Sequence, residues 1–216
     1  MMEKTPERHE LERRWRDLVG DGPGPASVRD DVLRRYGEPH RRYHTPTHLC
    51  AVLRAVDALA SACVDVSAVR MAAWFHDAVY KGAAGTDEEE SAQLALRLLP
   101  QVGVEPSRVD DVARLVRLTA THAPTSSDAD GQVLCDADLS ILGAAREEYR
   151  AYADAIRQEY AHVPTPLFRE GRIRVLRTLG DRTPLFHTPL ARKWWEESAR
   201  RNIAAEITTL RAASAP

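Results

Sequence analysis

The sequence has little of what marks several classes of protein. Its 216 residues include only three cysteines, Cys50, Cys63 and Cys135. They lack the short spacings of a disulfide framework or a thiolate zinc site, which favours a reducing, cytoplasmic environment. No run approaches the roughly 20 apolar residues of a membrane span. The polar N-terminus, MMEKTPER, lacks the apolar segment of a signal peptide, so we expect no membrane partner.

Net charge is also nearly absent, because 30 basic residues almost balance 32 acidic ones and leave a formal charge of −2. This balance gives no reason to expect sequence-specific binding of nucleic acid. The 44% of hydrophobic and 29% of charged residues are typical of a globular protein. No domain boundary is visible, so we expect one domain over residues 1–216, for which a homo-oligomer stays open.

Apolar residues recur at helical spacing through most of the chain. One stripe begins at His48 and continues through Leu49, Val52, Val56 and Leu59, the spacing that predicts an amphipathic helix. Further helices are predicted over residues 10–19, 27–36, 67–79, from 86 onward, 107–121, 145–161, 166–179 and 189–210. No segment alternates over a length that would predict a strand. The prediction is an all-α fold with a core at about residues 40–145 and an additional helical layer at 146–216.

Two short segments combine imidazole and carboxylate groups with apolar surroundings. His44 and His48 lie four residues apart, so one helical turn can stack them on the same face. The pair His76 and Asp77 follows the apolar segment MAAWF, which places both side chains at the rim of a core. A single histidine on an apolar face is more often a hydrogen-bonded core residue than a metal ligand.

A third segment carries two aspartates, Asp136 and Asp138, just after an apolar stretch. Either could be a turn or cap residue. The ordered set is more specific: a histidine, a His-Asp pair 28 residues later, and an aspartate about 60 residues beyond. Imidazole and carboxylate together suit one or two divalent ions, such as Zn, Mn, Fe, Ni, Co or Mg. A bound ion would activate water and polarise a phosphoryl oxygen.

The order of these residues resembles that of the HD superfamily of metal-dependent phosphohydrolases. Residues 42–49 (RYHTPTHL), 74–80 (WFHDAVY) and 135–143 (CDADLSILG) are similar to its sequence blocks, and most similar to a bacterial branch of predicted metal-dependent HD phosphohydrolases. The similarity continues at residues 87–92 (DEEESA), 121–122 (TH) and 198–202 (SARRN). It covers most of the chain and implies an HD-domain helical bundle with additional C-terminal helices.

The resemblance also implies roles for individual residues. His48, His76 and Asp77 match the ligands of the superfamily, and Asp77 belongs to the catalytic set as well. For the last ligand it favours Asp138 over Asp136, because the residues after Asp138 are similar to those that follow the superfamily's aspartate.

The first histidine of the YHxxxH block is similar to that of cyclic-nucleotide phosphodiesterases. This implies that His44 is the acid that protonates the leaving oxygen. Thr45 stands in place of the asparagine that usually follows this histidine, and Glu88 stands where the bacterial branch has asparagine. Both departures concern the orientation of substrate rather than the ligands.

Three further residues are candidates for the site, each with an ordinary alternative. Glu89 could orient water or act as a base near His44, or close a capping box with Thr86. Arg42 could hold a phosphate by a bidentate fork, or be a surface arginine. His122 could bind phosphate or a second ion, or only interact with the dipole of a helix end.

The expected function is metal-dependent hydrolysis of a phosphomonoester, a phosphodiester or a nucleotide phosphate. The expected partner is a small phosphorylated substrate, with nucleotides among the candidates. Two alternatives stay open. One is a di-iron oxygenase, to which His40, His44 and His122 could add ligands. The other is a sensor without catalysis that binds a metal or a nucleotide.

Overall fold

The structure, a computed structural model, describes residues 6–212, and over this range it contains ten α-helices and no strand. The prediction of an all-α fold is confirmed. The helices are α1 (Pro6–Val19), α2 (Pro23–Tyr36), α3 (Pro46–Leu59), α4 (Val66–Phe75), α5 (Thr86–Leu98), α6 (Pro106–Leu118), α7 (Ala129–Asp138), α8 (Arg146–Glu159), α9 (Thr165–Gly180) and α10 (Pro189–Ala212). Most of the N-terminal segment that lacks a signal-peptide pattern, residues 1–5, lies outside the described range. None of the described helices is both long and apolar enough to cross a bilayer.

Helix α4 forms the centre of the core. Seven of its ten residues are buried, and it packs against α3, α6 and α7. Its two aromatic residues, Trp74 and Phe75, contact Trp15 of α1 with ring centroids 4.8 and 6.4 Å apart. Only Ser67 and Arg70 of this helix are polar, and a helix with so large an apolar surface is stable only when neighbours cover it. The last turn of α4 therefore brings the residues that follow it into the interior.

Among the α-helices of residues 6–212, α7 is the one that periodicity did not predict, since the predicted helices end at residue 121 and resume at residue 145. The structure shows a helix over Ala129–Asp138 in which seven residues are buried. Because this helix is buried on most sides, it has no polar face, and its sequence shows no stripe. Its last residue is Asp138.

Helices α1 and α2 begin four residues before their predicted starts, and the caps of two other helices differ from those suggested by the sequence. Asp65, rather than Ser67, caps α4, because its carboxylate accepts the N–H groups of Ser67 and Ala68 at 3.0 Å. At α5 the box is closed by Glu88, whose carboxylate accepts the N–H of Gly85. The shift of one residue leaves Glu89 on the outer face of the helix.

The C-terminal helices pack onto the segment that follows Asp138. Helix α10 contacts α9 and the short 3₁₀ turn Leu139–Gly143, and α8 contacts the same turn. The buried side chain of Asn202 donates to the carbonyls of Leu142 and Ala144 at 2.9 and 3.0 Å. The additional layer thus helps to position the end of α7.

Candidate metal centre

The four residues expected to bind metal lie together in the core. His48, His76, Asp77 and Asp138 each offer one ligand atom, and these atoms lie within 4.8 Å of one another. Among residues 6–212, no other group of three or more histidine, cysteine, aspartate or glutamate side chains comes together in this way. The cluster could hold a metal ion.

The ligand atoms surround a common point. The Nε2 atoms of His48 and His76 lie 3.1 Å apart. Oδ2 of Asp77 lies 3.0 Å from Nε2 of His76 and 3.4 Å from that of His48. Oδ1 of Asp138 lies 3.4 and 3.3 Å from the same two nitrogens. Two nitrogens and two carboxylate oxygens form a donor set that suits zinc, iron, manganese and related divalent ions.

Helix ends supply all four ligands. His48 lies in the first turn of α3, His76 and Asp77 directly follow α4, and Asp138 is the last residue of α7. These three helices pack against one another, which brings the ends together. The C-terminal ends of α4 and α7 carry partial negative charge from their free carbonyls, so both favour a cation at this point.

The hydrogen bonds of His76 test whether these residues fit a cation. Its Nδ1 lies 2.8 Å from the carbonyl oxygen of Ala73, which can only accept, so Nδ1 carries the proton. In the neutral ring, Nε2 then presents its lone pair to the cluster. His48 and the two carboxylates also direct electron-rich atoms to this point. The residues therefore fit a divalent cation.

Electrostatics within the cluster point the same way. Burial opposes a charge on His76, but the carboxylates of Asp77 and Asp138 outweigh it and raise the pKa of His76 well above its usual range. Burial also acts to raise the pKa of each aspartate. The neighbouring histidines overcome this effect and lower the pKa of both aspartates well below the usual range. The two carboxylates are thus ionised and attract positive charge.

Asp136 and Asp138 differ in their contacts. Asp136 is 1% exposed, and its carboxylate accepts the N–H groups of His187 and Thr188 at 2.8 and 2.7 Å. Burial raises the pKa of Asp136 although these two amides act against it. Asp136 thus fixes the start of α10, while Asp138 faces the histidines.

This division predicts opposite effects for alanine at the two positions. Asp136→Ala leaves two buried amides without an acceptor, which costs about 3 kcal/mol and lowers the midpoint of thermal unfolding by roughly 10 °C. The folded variant should keep its bound metal. Asp138→Ala should lose metal with a smaller effect on unfolding. Elemental analysis and thermal unfolding of both variants measure this, and metal loss in Asp136→Ala alone would contradict the assignment.

His44 lies beside the cluster, in the loop before α3, rather than on the same helical face as His48. Its Nδ1 lies 2.7 Å from Oε2 of Glu159, the last residue of α8. Its Nε2 lies 3.9 Å from Oδ2 of Asp77. The ring therefore reaches the cluster while its other nitrogen is held by a carboxylate.

Glu159 is the site residue that sequence reasoning missed. Its side chain is 2% exposed, and Oε1 accepts the backbone N–H groups of Arg42, Tyr43 and His44 at 2.7 to 3.0 Å. The hydroxyl of Tyr80 donates to Oε2 at 3.0 Å. Burial acts to raise the pKa of Glu159, but the hydrogen bonds from His44 and from these backbone amides lower it to about 2. No local signal marks it, since α8 carries charges along its length.

The structure corrects the expectation for Glu89, which does not lie near His44. Both carboxylate oxygens of Glu89 bind the guanidinium of Arg117 on α6, at 2.6 and 2.9 Å. The side chain is 49% exposed. Glu159 instead supplies the carboxylate that neighbours His44.

Arg41 and Arg42, which precede His44 in the loop before α3, have different roles. The buried guanidinium of Arg41 donates to the carbonyls of His44, Asp77 and Ala78 at 3.1, 2.7 and 3.3 Å. It therefore connects the loop before α3 to the segment after α4. Arg42, which was expected to hold phosphate, donates to carbonyls of its own loop.

Two cavities reach the cluster from different directions. One, of about 750 Å³, is lined by Asp77, Asp138 and His122. The other, of about 680 Å³, is lined by Arg42 and His48, and also reaches Asp138. The structure thus places the two residues expected to bind substrate, Arg42 and His122, in different cavities.

His122 is held against the outer oxygen of Asp138. Its Nε2 lies 2.7 Å from Oδ2 of Asp138, the oxygen that does not face the other histidines. The backbone of His122 has a φ of 47°, a left-handed conformation that residues other than glycine seldom adopt. Arg182 donates to the carbonyls of His122 and Thr121 at 2.7 and 2.8 Å, which fixes this turn.

The DEEESA segment shapes the loop that follows Asp77. One carboxylate oxygen of Asp87 accepts the N–H groups of Lys81 and Ala83 at 2.8 Å. The hydroxyl of Ser91, which is fully buried, binds the N–H and carbonyl of Val79 at 3.0 and 3.3 Å. The other oxygen of Asp87 is buried and has no hydrogen-bond partner among the described residues. This segment therefore supports one wall of the larger cavity.

A comparison of the chain with models of protein families, with curated proteins and with solved structures finds no match.

Proposed function

We propose that this protein is a metal-dependent phosphohydrolase of the HD superfamily that cleaves a P–O bond in a small phosphorylated substrate. The observation that carries the proposal is the convergence of His48, His76, Asp77 and Asp138 on one point. Asp77 and Asp138 also line a cavity of about 750 Å³, a size typical of small-molecule sites. The order of these four residues along the chain is also the order that resembles the HD superfamily.

The four side chains would hold a divalent ion such as Zn, Mn, Fe, Ni, Co or Mg. Such an ion, when bound, lowers the pKa of water and polarises a phosphoryl oxygen. Outer hydrogen bonds fix the direction of the ligands: the Ala73 carbonyl orients His76, and His122 orients Asp138. Partners of this kind commonly contribute 10- to 100-fold to metal affinity or activity.

His44 is the candidate acid for the leaving oxygen. Its Nδ1 is held by Glu159 at 2.7 Å, which leaves its Nε2 to face the cavity that Asp77 lines. An ionised carboxylate behind an imidazole fixes the ring and stabilises positive charge on it, as in a hydrolase triad. Hydrolysis needs an acid of this kind because an alkoxide is a poor leaving group.

A di-iron oxygenase is the second candidate function. His44 and His122 lie 3.9 and 2.7 Å from the carboxylates of Asp77 and Asp138, so they could add nitrogen ligands for a second ion. His40 does not join them, because its Nε2 binds the carbonyl of Tyr80 at 2.7 Å.

Metal removal and replacement tests the proposal. Chelated protein is reloaded in turn with manganese, cobalt, nickel, zinc, iron or magnesium, and phosphate release is measured on phosphomonoesters, phosphodiesters and nucleotides. We expect hydrolysis that requires at least one of these metals and is lost again on chelation. Oxygen consumption by the iron-loaded protein without phosphate release would favour the oxygenase. Bound metal without any turnover would favour a sensor.

A further inference from the structure

Exposed apolar side chains concentrate on the wall of the larger cavity. Leu167 and Val175 of α9 are 61% and 51% exposed, among the few large apolar residues so exposed over residues 6–212. Both line the 750 Å³ cavity together with Gly171, which lies midway between them. Residues four apart are neighbours on a helix surface, so these three form one apolar trough along α9.

Gly171 has no structural requirement for glycine. A Cβ built there would meet no atom within 4 Å, and the backbone φ is not in the left-handed region. Glycine inside a helix costs roughly 0.5–1 kcal/mol relative to alanine. The missing side chain leaves space in the trough, which a ligand could occupy.

The trough and the metal cluster share one space. The same cavity is lined by Leu167, Gly171 and Val175 of the trough, and by Asp77 and Asp138 of the cluster. A ligand whose phosphate is held at the cluster by a bound cation could therefore place its remaining part against α9. Apolar contact of that part would stabilise it by removing apolar surface from water.

The two arginines of the cavity wall are already paired. The guanidinium of Arg172 binds both carboxylate oxygens of Glu206 at 2.8 and 3.1 Å, and also the hydroxyl of Tyr152. Arg174 pairs with Glu170 at 3.2 Å. The buried Arg172 is therefore not a free cation for a second phosphate group, and Arg174 shares its charge with an exposed carboxylate.

Carboxylates also line this cavity outside the cluster. Asp87 and Glu88 lie on its wall, where they would repel the additional charges of a diphosphate or triphosphate. The lining thus suits one phosphate group and an uncharged, apolar remainder.

We propose that the larger cavity selects monophosphate esters of uncharged, largely apolar alcohols, whose organic part lies in the trough formed by Leu167, Gly171 and Val175. This inference rests on the proposed phosphohydrolase activity for its substrate class. The trough itself can be tested by binding alone, which separates the two proposals.

Gly171→Leu fills the trough and is the main test. On the manganese-loaded protein, we expect kcat/KM for 2-phenylethyl phosphate to fall about tenfold or more, chiefly through KM. The value for methyl phosphate should change less than twofold. Thr178→Leu is the matched control, because Thr178 is an exposed position of the same helix outside this cavity. The wild-type protein should also prefer 2-phenylethyl phosphate to glycerol 3-phosphate and to adenosine triphosphate.

Calorimetric binding of 2-phenylethyl phosphonate provides the readout without turnover. Weaker binding to Gly171→Leu and to Leu167→Ser, with unchanged binding to Thr178→Leu, supports the trough even if no ester is hydrolysed. Leu167→Ser provides the same test if Gly171→Leu does not fold. Hydrolysis of polar and apolar esters at equal rates, or equal losses on both in Gly171→Leu, would overturn this inference while the hydrolase proposal stands.

Discussion

Replacing His76 with alanine is expected to remove the bound metal and abolish hydrolysis while leaving the helical content largely unchanged. His76 Nε2 lies within 3.4 Å of a ligand atom of each of His48, Asp77 and Asp138, so its loss opens the donor set. The helices draw their stability mainly from apolar contacts, which this substitution spares. Asp77→Ala should behave in the same way. Elemental analysis, phosphate release and far-ultraviolet circular dichroism measure the three quantities.

Glu89→Ala is the control for these variants. It also removes an acidic residue that sequence reasoning linked to catalysis, but its carboxylate pairs with Arg117 on the surface. We expect unchanged metal content and turnover. Retention of metal by both His76→Ala and Asp77→Ala would refute the proposed ligand set. If chelation of the wild-type protein itself removed the helical signal, the ion would be structural rather than catalytic.

The second large effect is expected for His44→Ala, which should keep its metal but lose about 10²–10⁴-fold in turnover on esters with poor leaving groups. His44 does not belong to the group of four ligand atoms, so metal occupancy should persist. A nitrophenyl phosphate needs little protonation of its leaving group and should lose much less. Metal content and turnover on an alkyl and a nitrophenyl ester are the measurements.

Glu159→Gln separates the orientation of His44 from the charge behind it. Glutamine can still accept the backbone N–H groups of residues 42–44, but it removes the negative charge next to the imidazole. We expect turnover on the alkyl ester to fall in the same direction as in His44→Ala, with a smaller loss. Equal losses on alkyl and nitrophenyl esters in His44→Ala would instead indicate a role in substrate binding. Loss of metal in His44→Ala would indicate that His44 is a ligand and would favour the oxygenase.

Much of the fold followed from the sequence because helical periodicity is a local property. The stripe of α3 and the segment that predicted α6, for example, lie on helices with one buried and one exposed side. The same reasoning failed for α7, whose surroundings are protein on most sides. Periodicity reports the contrast between core and solvent, so it carries no signal where solvent is absent.

The proposed ligands could be predicted from the sequence because each lies next to an apolar segment. His76 and Asp77, for example, directly follow α4, in which seven of ten residues are buried, and the order of the four residues along the chain can be read from the sequence. Their meeting at one point depended on the packing of α3, α4 and α7. Nothing local predicted Glu159, which contacts His44 across 115 positions of sequence.

The sequence by itself determined the helical class and which residue types stand at the candidate site. Only the tertiary structure decided between near neighbours of the same type. Asp136 binds the amides before α10 while Asp138 faces the histidines, and Arg41 rather than Arg42 connects the ligand segments. The two members of each pair are the same type of residue, one or two positions apart, and their side chains point in different directions. That direction is fixed by packing against distant parts of the chain.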